Sequence, residues 1–124
     1  QIIFTDPTFA RVGLTEKEAR EKGLEVIVAA YPFDDLGKAI CTGQTKGFVK
    51  MLADARNGEI LGVHLLGPEG AELIHAMNVA MSFRATVQQL LEIPHFHPTL
   101  SEIFTYPAEE IARKLSQPTH KEVD

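Results

Sequence analysis

The dipeptide Asn57-Gly58 lies between two apolar runs, Phe48 to Ala53 and Ile60 to Leu66, and it constrains the fold more than any other feature of the chain. Glycine after asparagine accepts the φ > 0 backbone that a tight hairpin turn requires. Two strands joined by so short a connection must run antiparallel, because a parallel pair needs a crossover of a dozen residues or more. Gly47 precedes the pair and Gly67-Pro68 closes it. A further strand is expected over Val26 to Phe33, which is rich in β-branched and aromatic residues. Residues 2–5 suit a strand that Asp6-Pro7 must turn, and Arg11 to Leu14 a second short extended piece.

Helical signals fall between and after these strands. Thr15-Glu16-Lys17-Glu18 has the spacing of a capping box, and Gly23 is a favourable residue just past the helix it opens. A second helix is expected from Glu69 to Arg84. Its polar stripe is narrow (Glu72, His75, Asn78, Ser82). Leu73, Ile74, Met77, Ala80 and Met81 fill one face, and Ala76, Val79 and Phe83 form another. A helix apolar over most of its circumference needs cover on two sides, and a small domain supplies one of them, so a partner surface is predicted. Thr86-x-x-Gln89 opens a third helix ending near Glu92. From Pro94 to Leu115 a helical stripe (Phe104, Ala108, Ile111, Leu115) contains Pro107, which predicts a kink or two short helices with Pro107 first in the second. The segment from Asp34 to Lys46, with Gly37 and Gly43, reads as a loop, and Ser116 to Asp124 as a polar tail after a domain over residues 1–115. Strands grouped together and followed by helices argue for α+β, an antiparallel sheet with helices packed on it.

Composition narrows the function classes. With 124 residues, 44% hydrophobic, the chain suits one domain with a real core. A formal charge of −5 argues against nucleic acid as partner. The longest purely apolar run, Val26 to Tyr31, is far below the ~20 residues of a membrane-spanning helix. Cys41 is the sole cysteine, so no intrachain disulfide can form, and a reducing, cytoplasmic setting is expected. The opening Gln1-Ile2-Ile3-Phe4-Thr5 has neither Met nor signal-peptide character, which predicts a piece of a longer polypeptide or a processed product. No Gly-x-Gly-x-x-Gly or P-loop occurs to hold a nucleotide.

Chemistry concentrates in Pro94-His95-Phe96-His97-Pro98-Thr99-Leu100-Ser101-Glu102. His97 precedes a proline and is therefore extended. If Thr99 caps a helix, Glu102 lies in its first turn and can reach back toward His97. A carboxylate bonded to one imidazole nitrogen fixes the tautomer and stabilises the imidazolium, which makes a general acid/base pair. Thr99-x-x-Glu102 is equally a capping box, in which Glu102 does no more than satisfy a backbone N–H. A third reading joins His95 and His97 to Cys41, His64 or His75 as metal ligands; the other ligands lie on unrelated elements, and no metal site is expected. His64 and His75 read as structural, Met51, Met77 and Met81 as core filler, and Cys41 as a small packing residue. The charges from Glu16 to Glu25 read as the solvated face of the first helix.

The segment His97-Pro98-Thr99-Leu100-Ser101-Glu102 resembles the C-terminal signature of the flavin-dependent pyridine nucleotide–disulfide oxidoreductases, most closely dihydrolipoamide dehydrogenases. Thr5-Asp6-Pro7 with Val12-Gly13-Leu14-Thr15-Glu16 is similar to the opening of that family's interface (dimerisation) domain. Gly47-Phe48-Val49-Lys50, Ile60-Leu61-Gly62-Val63-His64, Gly67-Pro68 and Ala71-Glu72-Leu73-Ile74 resemble its middle. The resemblance implies a parent enzyme with FAD and NAD(P) domains upstream, neither cofactor being bound by this fragment, which would be inactive alone. It implies a homodimer in which His97 and Glu102 complete the partner subunit's active site, acting on a small thiol/disulfide substrate. His97-Pro98 would lie beside the partner's flavin, where the X–Pro bond admits the cis form. Mercuric reductases, which end in a vicinal cysteine pair, are more distant, and Pro107 departs from the family's pattern. The alternatives are a stand-alone dimerisation or binding module without catalysis, or the domain of a mercuric-reductase-like enzyme.

Overall fold

The computed structural model describes residues 1–117. Five strands form one sheet: β1 (Ile2–Ile3), β2 (Thr8–Gly13), β3 (Val26–Pro32), β4 (Phe48–Asp54) and β5 (Ile60–Gly67). Their order across the sheet is β1-β2-β5-β4-β3, and every neighbouring pair is antiparallel. Five helices accompany them: α1 (Glu16–Glu21), α2 (Gly37–Thr42), α3 (Gly70–Ser82), α4 (Val87–Glu92) and α5 (Thr105–Ser116). This is the α+β architecture expected from the strand and helix signals.

The hairpin that organises the sheet forms where Asn57-Gly58 predicts it. Gly58 has φ +81°, and Asn57 Oδ1 accepts from the Glu59 N–H at 2.9 Å. The first strand is shorter than expected, Ile2–Ile3 only, and the chain turns after it at Asp6-Pro7. The second is longer and starts at Thr8, paired along its length with β5.

The two faces of the sheet differ as the strand period dictates. Register places Ala10, Leu65 and Val49 side by side, with Val12, Val63, Met51 and Ala29 in the next row. This face is covered by α3, which packs on β2 and β5, and by α5, which packs on β3 and β4. Ile74, Met77, Ile103, Phe104, Ala108 and Ile111 complete its core. On the opposite face Arg11, His64 and Lys50 form a polar row. There α1 meets them: Glu16 pairs with Lys50, Glu18 with Arg11 at 3.7 Å, and His64 Nε2 lies 3.1 Å from the Leu14 carbonyl. The first-helix charges are thus partly paired with the sheet as well as solvated, and His64 is structural. A second row on that face, Ile3, Phe9, Leu66, Phe48 and Pro32, crosses all five strands and keeps Ile3 and Phe48 almost half exposed.

Three local expectations are corrected. Residues 34–46 are not a loop throughout: a 3-10 turn (Phe33–Asp35) leads into α2, which ends at Gly43. Phe33, Leu36 and Ala39 are buried there, and this burial outweighs the small polar composition that suggested a loop. Cys41 on α2 is exposed, against its expected role as a packing residue. Nor does Pro107 open a helix. A 3-10 turn (Leu100–Phe104) runs into α5 and Pro107 is its third residue, where the missing N–H breaks no bond because first-turn amides have no helical partner. Ser116 closes α5, and the rest of the predicted tail, 118–124, lies outside the described residues.

Candidate functional site

The segment between α4 and α5 carries the chemistry, and its ends are anchored before any functional bond is made. Thr86 and Gln89 form a reciprocal capping box on α4, as their spacing predicts. After α4, His95 Nε2 lies 2.9 Å from the Leu90 carbonyl, which ties the extended strand of chain back to that helix. Ile103 and Phe104 are fully buried, so the 3-10 turn that carries Glu102 is nailed to the core. His97–Pro98 is cis.

Between these anchors His97 and Glu102 meet. The imidazole Nδ1 lies 3.1 Å and 3.2 Å from the two Glu102 carboxylate oxygens. Glu102 Oε2 also accepts the Thr99 backbone N–H at 2.8 Å, and Thr99 Oγ1 donates to the Phe96 carbonyl at 2.7 Å. Capping and imidazole pairing, set against each other from spacing alone, are therefore made by one carboxylate at once. The Thr99 N–H holds the Glu102 carboxyl below its ordinary range, His97 acts in the same direction, and partial burial opposes both.

Exposure divides the pair. The Glu102 side chain is 14% exposed and the His97 side chain 75%. With Nδ1 on Glu102, Nε2 makes no hydrogen bond among the described residues. A largely buried, ionised carboxylate thus holds one nitrogen of a presented imidazole and leaves the other for an incoming group. Phe96, the residue before His97, and Ile93, four residues before it, are 81% and 56% exposed.

The remaining candidates fall elsewhere. His75 is exposed on the outer stripe of α3, and Met51 and Met77 are buried in the core with Met81 packed against it. Among the described residues no three His, Cys, Asp or Glu side chains come together as a metal site would need, so His95 and His97 find no third ligand. A neighbour that spacing did not reveal is Gly37, at the start of α2. A β-carbon built there would stand 3.6 Å from His97 Cε1. No local pattern signals this proximity, since the two residues belong to distant parts of the chain.

The family model described as pyridine nucleotide-disulphide oxidoreductase, dimerisation domain, matches residues 1–108. The chain is 41% identical over 100 residues to a dihydrolipoyl dehydrogenase of Halobacterium salinarum, covering 81% of this chain and 21% of that protein. It is 40% identical over 113 residues to the dihydrolipoyl dehydrogenase of Thermus scotoductus, covering 91% and 24%. Among solved structures it superposes on LpdA from Mycobacterium tuberculosis with a TM-score of 0.83 at 26% identity, over 90% of this chain and 24% of that one. The HOCl-induced flavoprotein disulfide reductase RclA from Escherichia coli also gives 0.83, at 28% identity, over 88% and 25%. The chain thus spans about a fifth to a quarter of the length of these relatives. Sheet order, helix placement and the match over residues 1–108 make this chain a member of the pyridine nucleotide-disulphide oxidoreductase dimerisation-domain family, similar to that domain of dihydrolipoyl dehydrogenases.

Proposed function

We propose that this chain is the dimerisation domain of a flavin-dependent, dihydrolipoyl-dehydrogenase-like enzyme and that its His97–Glu102 pair serves as acid and base in the partner subunit's active site. The observation that carries this reading is the exposed imidazole whose Nδ1 rests on a largely buried carboxylate. In the thiol-oxidising direction Nε2 takes the proton of a substrate thiol as the sulfur attacks a disulfide. The imidazolium so formed keeps its Nδ1–H on Glu102, whose negative charge stabilises it. In the reverse direction Nε2 returns the proton to the leaving thiolate. General acid–base assistance of this kind is worth about 10²–10⁴ in rate.

FAD and NAD(P) belong to the rest of such an enzyme. The residues here do not fit either cofactor as a whole. There is no glycine-rich phosphate cradle, and a cavity of about 400 Å³ beside Asp6, Lys46 and Glu69 presents two carboxylates for one ammonium to any pyrophosphate. What the chain offers a flavin is the exposed edge at His97–Pro98.

A second reading has its own observation. The Thr99 N–H to Glu102 bond, at 2.8 Å, is shorter than either contact to His97, so capping is the tighter of the two interactions that Glu102 makes. In that case the domain serves association without catalysis. Glu102→Gln separates the two, because glutamine still accepts the Thr99 N–H but carries no charge for an imidazolium. Introduced into the full-length parent enzyme, it is expected to lower kcat at least about tenfold with the melting temperature nearly unchanged. Equal turnover in the two proteins would leave the capping role alone.

A further inference from the structure

The Asn57-Gly58 turn carries a reactive pair as well as a flexible backbone. In such a pair the glycine nitrogen can attack the asparagine side-chain carbonyl. A new N–Cγ bond closes a five-membered imide, the bond from Cγ to the side-chain nitrogen breaks, and ammonia leaves with the proton of the glycine nitrogen. Water then opens the imide at either carbonyl, which yields aspartate or isoaspartate and needs no oxidant or reductant. Glycine favours the attack because it has no side chain to obstruct it. The chain has one other asparagine, Asn78, which lies within α3 and precedes the β-branched Val79.

The fold holds both reacting groups of the turn. Asn57 is exposed at the tip, and Gly58 behind it is buried. The Gly58 N–H, whose proton must leave, donates to the Asp54 carbonyl at 2.8 Å. The carboxamide under attack is tied as well, since Asn57 Oδ1 accepts the Glu59 N–H at 2.9 Å. The turn itself is docked on the entrance of α4. The Gly58 carbonyl accepts the Val87 N–H at 2.9 Å, the Ile60 N–H donates to the Ala85 carbonyl at 3.0 Å, and Arg84 Nε reaches Glu59 Oε1 at 3.0 Å. From this geometry we propose that Asn57 is a latent deamidation site: the folded hairpin holds it shut, and cyclisation proceeds from conformations in which the turn has opened. Its rate in the native protein is then the unfolded-chain rate scaled by the open fraction. The two products differ in consequence. Aspartate keeps an oxygen for the Glu59 N–H and leaves the main chain unchanged. Isoaspartate carries the main chain through its own side chain, and the added carbon displaces Gly58 from its bonds to Asp54 and Val87. A transient opening thereby becomes a permanent one in the hairpin that organises the sheet.

The test follows the 124-residue chain by mass spectrometry at neutral pH, in buffer and in guanidinium chloride above its unfolding transition. Fragmentation locates the converted residue, and enzymatic methylation counts isoaspartate. Asn57 is expected to convert at least about tenfold more slowly in the folded chain, as an open fraction of a tenth or less requires. In the unfolded chain Asn78 should lag well behind Asn57, because Val79 hinders the same attack. Chain carrying isoaspartate at position 57, separated by chromatography, should melt below the Asn57→Asp variant, which has the same added charge on an unaltered main chain. Equal Asn57 rates in the two solvents, Asn78 keeping pace with Asn57 in the unfolded chain, or equal melting of the isoaspartate and Asn57→Asp chains would overturn the proposal.

Discussion

Asp54, at the end of β4, is the one buried charged residue among those described, and its surroundings explain how the charge is kept. Its Oδ1 accepts the Arg56 backbone N–H at 2.8 Å and Nε at 3.1 Å, and Oδ2 accepts Nη2 at 2.9 Å. The Arg56 side-chain bond, then its backbone N–H, hold the Asp54 carboxyl below its ordinary range against the penalty of burial. A carboxylate depressed in the folded state adds stability above its unfolded value near 3.8, and that stability drains as the pH falls through the folded value. Asp54→Ala leaves the Arg56 N–H without its acceptor and is expected to cost about 1–3 kcal/mol at neutral pH. Asp54→Asn keeps an acceptor and loses only the charge. Urea denaturation should show the wild-type advantage over Asp54→Asn shrinking steadily below about pH 4. A gap independent of pH would mean that the charge contributes nothing.

Short helices in this molecule depend on their ends. α4 spans six residues, too few to persist by propensity, and begins with Thr86 Oγ1 accepting the Gln89 N–H at 3.1 Å while Gln89 Oε1 accepts the Thr86 N–H at 2.9 Å. Val87 and Leu90 then seat it against α5. Thr86→Ala removes half of the reciprocal cap and should destabilise the domain by about 1 kcal/mol, seen as a lower melting temperature. Because His95 hangs from the Leu90 carbonyl, the same substitution should also speed amide exchange between residues 90 and 99. Exchange rates unchanged there would show that the His97 segment is held by the α5 side alone. α2 illustrates the opposite balance. It has no side-chain cap at its N-terminus, and the burial of Leu36 and Ala39 holds it in place.

At the scale of the whole molecule, one face of α3 meets the sheet and the other does not. Ile74 and Met77 are buried, whereas Val79 and Phe83 are 45% and 83% exposed, the division expected of a helix apolar on two sides. Under the proposed reading of this chain as a dimer-forming domain, that outer face is the surface expected to self-associate. Val79→Glu with Phe83→Glu places two like charges on it while touching little of the core. Sedimentation should show association weakened at least about tenfold, with the unfolding transition shifted little. Unaltered sedimentation would move the association surface elsewhere, the partly exposed row from Ile3 to Pro32 being the other apolar face on view.

Interactions within a few residues were legible without coordinates. Asn57-Gly58 specifies its turn through backbone freedom, Thr86-x-x-Gln89 its cap, and Thr99-x-x-Glu102 the spacing that brings a carboxylate to its own helix entrance. Each is decided by covalent geometry and a near neighbour. The tertiary structure alone decided what needed a distant partner. Residues 33–35 and 37–42 are helical because Phe33, Leu36 and Ala39 find a core, Cys41 is exposed because α2 turns it outward, and Gly37 lies near His97 because the core sets α2 beside the α4–α5 connection. Such contacts carry no periodicity, since burial is a property of the assembled sheet and helices and not of the residues taken in order.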